Sequence, residues 1–241
     1  MRIRDLTLFA ISGFTAFAQT QEPRIAFENA SIRARQSTSE ESRGPKDQVE
    51  FSGNRLTARN ATLNTCLEAA YRLSSKQFTT PGDSGSWRYD IDAVAPADAT
   101  KDEIRLMLRT LLRERLQMKQ HMEIREIPVD ALTLGKKAHK MQESTTEGEA
   151  EFNAGRYQRI PMWEFAWSWS NLLMTPVVDM TGLKGRYDFS LDIRPYLNHD
   201  TGRAAAFRAA VSDQLGLRVE TRKAPVEFLV VDQVERNPTE K

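Results

Sequence analysis

The sequence predicts an α+β protein made by tandem duplication of a strand-helix-strand-helix-hairpin unit of roughly 90 residues, with mostly antiparallel sheets. Three paired stretches carry this expectation. "WRYDIDAVAP" at 87–96 returns as "GRYDFSLDIRP" at 185–195, which aligns Arg88, Tyr89 and Asp90 with Arg186, Tyr187 and Asp188. "FSGNRLTARNATL" at 51–63 resembles "FNAGRYQRIPMWE" at 152–164, with Phe51 matched to Phe152 and Arg55 to Arg156. "RERLQMKQHMEIREIPVDALTL" at 113–134 parallels "SDQLGLRVETRKAPVEFLVV" at 212–231, with Pro128-Val129 matched to Pro225-Val226.

Residues 1–18 read as a signal peptide. Arg2 and Arg4 precede an apolar run of about a dozen residues, and Ala16-Phe17-Ala18 is a small-x-small cleavage site, with the cut after Ala18. The run is too short to span a bilayer, and no later segment is apolar enough to do so. The expected destination is therefore the periplasm or the extracellular space, with no stable membrane span once the signal is removed. Cleavage removes Arg2, Arg4 and Asp5 and takes the formal charge from +1 to zero. A neutral chain lacks the basic face that nucleic acid demands.

Residues 19–135 are expected to hold a leading strand at 25–35 and the first repeat, 136–150 a polar linker, and 151–241 the second repeat. A polar, breaker-rich loop at 36–48 follows the leading strand. The first repeat then runs through a strand at 49–59 and a helix at 62–74, with Leu63, Leu67, Ala70 and Leu73 at helical spacing. Alternation in "RYDIDAVA" gives the next strand. Thr100 and Glu103 form a capping-box pattern opening a helix at 101–117. The second repeat answers with a strand at 151–160, a helix from Pro161 to Met174, the strand "RYDFSLDI" and a helix at 203–216 closed by Gly216. Each repeat is expected to end in a hairpin turning at its proline, Pro128 or Pro225.

Gly82-Asp83-Ser84-Gly85 matches the stretch around the active serine of chymotrypsin-like proteases. The repeat argues for a turn instead. "TPGDSGSW" in the first copy aligns with "TPVVDMTGLKG" in the second, so Asp83 and Gly85 answer to Asp179 and Gly182. Asp, a hydroxyl residue and Gly are turn chemistry, and a nucleophile has no reason to recur as Thr181. In that protease family the histidine base precedes the serine, whereas His121, His139 and His199 all follow Ser84. No catalytic residue is assigned. His121 and Glu123 share a strand face without further ligands, so no metal and no cofactor is expected. Cys66, the single cysteine, allows no internal disulfide and reads as a small core residue, with a reactive thiol as the alternative.

The aromatic stretch "MWEFAWSWSNLL" offers the candidate binding residues Trp163, Trp167 and Trp169. Trp163 and Trp167 are four apart, as are Phe165 and Trp169, and the two pairs lie on different helix faces. They serve either as core and packing between the copies or as an aromatic platform for a partner or glycan.

With these motifs in view, the chain resembles a family of secreted proteins abundant in soil acidobacteria and known mainly as a domain of unknown function. The resemblance rests on "FENASIR" at 27–33, "GNRLTARNATLNTCLEAAYRL" at 53–73, "SWRYDIDA" at 86–93, "TKDEIRLMLRTLLRERLQMKQHMEIREIPVDAL" at 100–132, "PVVDMTGLKGRYDFSLD" at 176–192 and "APVEFLVVDQVERNPTE" at 224–240. It implies no established activity. Some relatives are joined to membrane metallopeptidases of the beta-lactam-sensing type, which implies an extracytoplasmic sensing or interaction role. The expected function is an exported, non-catalytic interaction or sensing module for a protein or peptide. An envelope hydrolase using residues such as His121 and Ser84 is the alternative.

Overall fold

A computed structural model describes residues 25–35, 47–198 and 202–239. The expected signal peptide, its cleavage site at Ala18 and His199 lie outside the described residues. The protein is α+β, with mostly antiparallel sheets.

The first half comprises β1 (Asn29–Arg35), β2 (Gln48–Ser52), β3 (Arg55–Thr62), α1 (Leu63–Tyr71), β4 (Phe78–Thr79), β5 (Arg88–Val94) and α2 (Lys101–Arg115). β6 (Lys119–Leu134) leads into the second half. There β7 (Gln142–Glu143), β8 (Glu151–Asn153), β9 (Arg156–Pro161), α3 (Met162–Leu173), β10 (Val177–Asp179), β11 (Arg186–Ser190), α4 (Arg203–Ala210) and β12 (Leu217–Gln233) follow. The first half orders its sheet β1-β5-β3-β2, and the second half orders its own β7-β11-β9-β8. Between them lies the sheet β10-β6-β12-β4.

The helices follow local chemistry. Thr62 caps α1 by accepting from the Thr65 N–H at 3.1 Å, and α1 buries Leu63, Cys66, Leu67 and Ala70. The expected capping box opens α2: Thr100 accepts from the Glu103 N–H, and Glu103 accepts from the Thr100 N–H at 2.8 Å. α4 runs on as a π-turn through Val211–Leu215 and stops at Gly216, which takes its φ of 70° without the cost a Cβ would add.

Two expectations about strands are corrected. The strands at 49–59 and 151–160 are each a hairpin, turning at Gly53-Asn54 and Ala154-Gly155. Positive φ at Gly53 (55°), Ala154 (48°) and Gly155 (87°) makes these tight reversals. The closing hairpins do not form either. β6 and β12 each run unbroken through their prolines and pair antiparallel with one another, from Leu217 opposite Leu134 to Gln233 opposite Lys119.

Alternation along the strand explains why the prolines are tolerated. Asp130 donates its N–H outward to the Pro176 carbonyl, and Leu229 donates outward to the Gln77 carbonyl. Pro128 and Pro225 share those parities, so each missing N–H falls on an outer edge and costs no bond between β6 and β12.

The repeated Arg-Tyr-Asp motif has a mechanical role. In the first half, Asn60 sits at φ 50° in a bulge of β3; Asp90 accepts its N–H at 2.8 Å, and Arg88 donates to its carbonyl at 2.6 Å. In the second half, Arg159 sits at φ 54°; Asp188 accepts its N–H at 2.7 Å, and Arg186 donates to its carbonyl at 3.0 Å. Both bulges bring a strained residue's two backbone groups to charged side chains. Tyr89 and Tyr187, between those side chains, are buried.

One core gathers α1, α2 and the first sheet and also takes in Leu229 and Val231 of β12 and Val234 after it. A second gathers α3, α4 and the second sheet with Leu132 of β6 and Leu217 of β12. A third, smaller cluster of Val129, Ala131, Ala224, Val226 and Phe228 lies along the long strands. The segment expected as a polar linker, 136–150, contributes buried Met141 to the second core and strand β7 to its sheet.

Candidate functional site

Ser84 sits in a short 3-10 turn, 1% exposed, and its hydroxyl donates to the Pro81 carbonyl at 2.7 Å. His121 is engaged elsewhere: Nδ1 lies 2.9 Å from Asp232 and Nε2 3.1 Å from Glu123. Those two hydrogen bonds, Asp232 first, hold the imidazole above its usual pKa.

The two turns placed in register by sequence use their residues differently. Asp179 accepts from the N–H of Thr181 at 2.9 Å and from its hydroxyl at 2.7 Å, and Gly182 takes φ 73°. Asp83 makes no such cap, and the positive φ in its turn belongs to Gly82, at 56°. Gly85 is needed for space, because a Cβ there would run into the Asn64 side chain. Gln77 and Pro176 each give their carbonyl to an outward N–H of a long strand, Leu229 and Asp130 respectively. Counting from those two bonds sets Thr80 beside Asp179, three residues on in each, whereas the sequence match sets Thr80-Pro81 beside Thr175-Pro176. Sequence could not register this stretch because its pairing partners are remote strands.

The aromatic helix splits by face. Phe165 is fully buried and Trp169 is 5% exposed, whereas Trp163 is 42% exposed and Trp167 is half-buried. Trp163 stands at the junction of the halves, with the Arg72 guanidinium 4.7 Å from its ring centre. Trp169 stacks on Phe207 at 4.1 Å and donates its Nε1–H to the Tyr157 hydroxyl at 3.0 Å.

Trp169 also lines a cleft of about 700 Å³ on the second half. The β8–β9 hairpin supplies Phe152, Gly155 and Tyr157, α3 supplies Ser168, Asn171 and Leu172, and Leu191 to Arg194 form the opposite rim. Phe152 stacks on Tyr157 at 4.6 Å yet stays 58% exposed, and Leu172 stays 46% exposed. The rim carries an ion pair: Arg194 donates to both Asp192 oxygens, at 2.9 and 2.7 Å, and holds that carboxyl down at about 2. Burial pushes the Tyr157 hydroxyl up to about 12, so it stays protonated and keeps its hydrogen-bond geometry across the physiological range.

Burial likewise pushes the Cys66 thiol up to about 12, and the side chain is fully buried, which removes a reactive thiol. Among the described residues no group of three or more His, Cys, Asp or Glu is placed to hold a metal ion. Among them, too, no helix is long and apolar enough to cross a membrane, which says nothing of barrels.

Residues 64–234 match the family described as a protein of unknown function, DUF3738. The chain belongs to this family. No curated protein and no solved structure matches it.

The DUF3738 match runs from α1 to just beyond β12 and so spans both halves. The aromatic helix of this DUF3738 protein is legible in its sequence, whereas the other cleft walls, Phe152, Leu172, Asp192 and Arg194, are not. Only Phe152 carried a signal, as the repeat partner of Phe51. Its exposure depends on what the second half leaves uncovered.

Proposed function

We propose that this DUF3738 protein is an exported, non-catalytic interaction module that captures a protein or peptide by seating an apolar side chain in the second-half cleft. The observation that carries the reading is the cleft: a concave, mostly apolar site with exposed Phe152 and Leu172 at its mouth and a few polar groups at its rim. Phe152 and Trp169 supply flat, rigid contact area of the kind that dominates recognition. The basic start, apolar run and Ala-x-Ala site at residues 1–18 support export. We further infer that the halves descend from one duplicated unit. The equal sheet orders and the twice-used Arg/Asp clamp on a positive-φ bulge residue support that descent.

A phage-displayed library of random 12-residue peptides, selected on the mature chain, tests the binding reading. Enriched peptides are expected to carry a large apolar or aromatic anchor. Phe152→Ser and Leu172→Ser should each weaken them at least tenfold, while Trp163→Ala leaves them unchanged. No enrichment above background, or equal binding by both cleft variants, overturns the assignment.

A further inference from the structure

The sheet that joins the halves is only two strands wide over most of its length. β10 covers β6 only at Asp130–Leu132, and β4 covers β12 only at Leu229–Val230. The remaining outer edges differ. With Asp130 facing outward, Gln120, Met122, Ile124 and Glu126 also direct their backbone groups outward. None of these outward groups is bonded among the described residues.

On β12 the matching outward positions are Thr221, Lys223, Pro225 and Glu227, all exposed, and Gln77 donates to the Glu227 carbonyl at 3.3 Å. Charge and proline blunt that edge in the usual way. On the β6 edge the outward positions between Gln120 and Glu126 carry neither charge nor proline. The edge displays Met122, 48% exposed, and Ile124, 73% exposed.

We propose that this edge pairs with the same edge of a second copy, antiparallel about a two-fold axis through Ile124. Charge selects the occupant and the register. An axis through Glu123 sets Glu123 against Glu123, one through Arg125 sets Arg125 against Arg125, and one through Met122 sets Lys119 against Arg125. The Ile124 axis avoids every like pair. It sets Glu123 opposite the other copy's Arg125 twice, packs Ile124 on Ile124, and lays Met122 along the Glu126 stem. Pro128 then falls opposite Gln120 and ends the ladder, because it has no N–H to give. The same strand would thus hold its partner within its own chain on one edge and its partner copy on the other, giving an isologous dimer.

Engineered cysteines test this on the full mature chain. Cys66 is fully buried, so a new surface thiol reacts alone. Residues directly opposite in a hydrogen-bonded antiparallel pair have Cα atoms about 5.5 Å apart, within disulfide reach. Mild oxidation is expected to link Ile124→Cys into a dimer on a non-reducing gel. Glu126→Cys, which would face Met122, and Pro225→Cys, on the blunted edge, should stay monomeric. Sedimentation equilibrium should show wild type associating reversibly and Ile124→Lys, an exposed change that leaves the fold intact, associating at least tenfold more weakly. Wild type that sediments as a monomer up to millimolar concentration overturns the proposal. So does linking of Pro225→Cys as fast as Ile124→Cys, or an edge that takes up peptides while the chain stays monomeric.

Discussion

In the first half α1 buries Cys66 and Ala70; in the second, α3 buries Phe165 and Trp169, 99 residues on from each. The surrounding strands follow the same order in both halves. The first half fills its frame mainly with aliphatic side chains around Tyr89 and closes it with α2, 15 residues long, which lays Arg105 over the Phe51 ring at 4.9 Å. The second half fills the frame with stacked rings, and α4 is only 8 residues long before its π-turn. Phe152, in the first strand of the corresponding hairpin, stays exposed and walls the cleft. One frame can thus give a closed core or a core with an opening. The volume at two helix positions and the length of one covering helix separate them.

The largest effect is expected at Trp169. Trp169→Ala installs the residue the first half uses at that place, but without the aliphatic neighbours that fill the space there. It should cost about 3–5 kcal/mol, the range for removing a buried large aromatic, measured by urea unfolding. A cost under about 1 kcal/mol would mean that the second core does not depend on its stacked rings.

The turn glycines separate space from backbone strain. Gly85→Ala should lose about 1–3 kcal/mol through collision with Asn64. Gly182→Ala has open space around its Cβ and should lose only the positive-φ penalty, about 1 kcal/mol. Equal losses would show that the two turns need glycine for one shared reason.

A further effect concerns protonation. Burial, and next the like charge of Asp47, raise Glu68 from 4.5 to about 7. The folded state therefore binds this proton more tightly than the unfolded chain does. Its contribution is full below 4.5 and is lost as pH rises to about 7. The second half has Trp167 at the matching position and no such group. Glu68→Gln should flatten the pH dependence of the melting temperature between pH 5 and 8 and raise it at pH 8. An unchanged slope would place the sensitivity elsewhere.

Much of the frame was legible in the residues. The Thr100–Glu103 box, the αL stop at Gly216 and the stripe Leu63-Leu67-Ala70 are local devices, and local chemistry decides them. The misread hairpins and prolines share another cause. "FSGNR" turns at Gly53-Asn54 and Pro128 does not turn at all, because strand pairing assigns those roles. A proline reads as a breaker until its nitrogen is known to face an open edge. The cleft was half legible: the Trp residues announce an aromatic helix, but only packing tells that Trp169 lines a cavity while Trp163 caps the junction of the halves.

The interleaving of β4 with β12 also bears on how the polypeptide is made. Phe78 and the first core lean on Leu229, Val231 and Val234, and the buried Tyr89 donates its hydroxyl to the Arg236 carbonyl at 3.2 Å. A nascent chain emerging from its N-terminus cannot complete its first module early. Its core closes only when the last strand and the residues just after it are available to cover it.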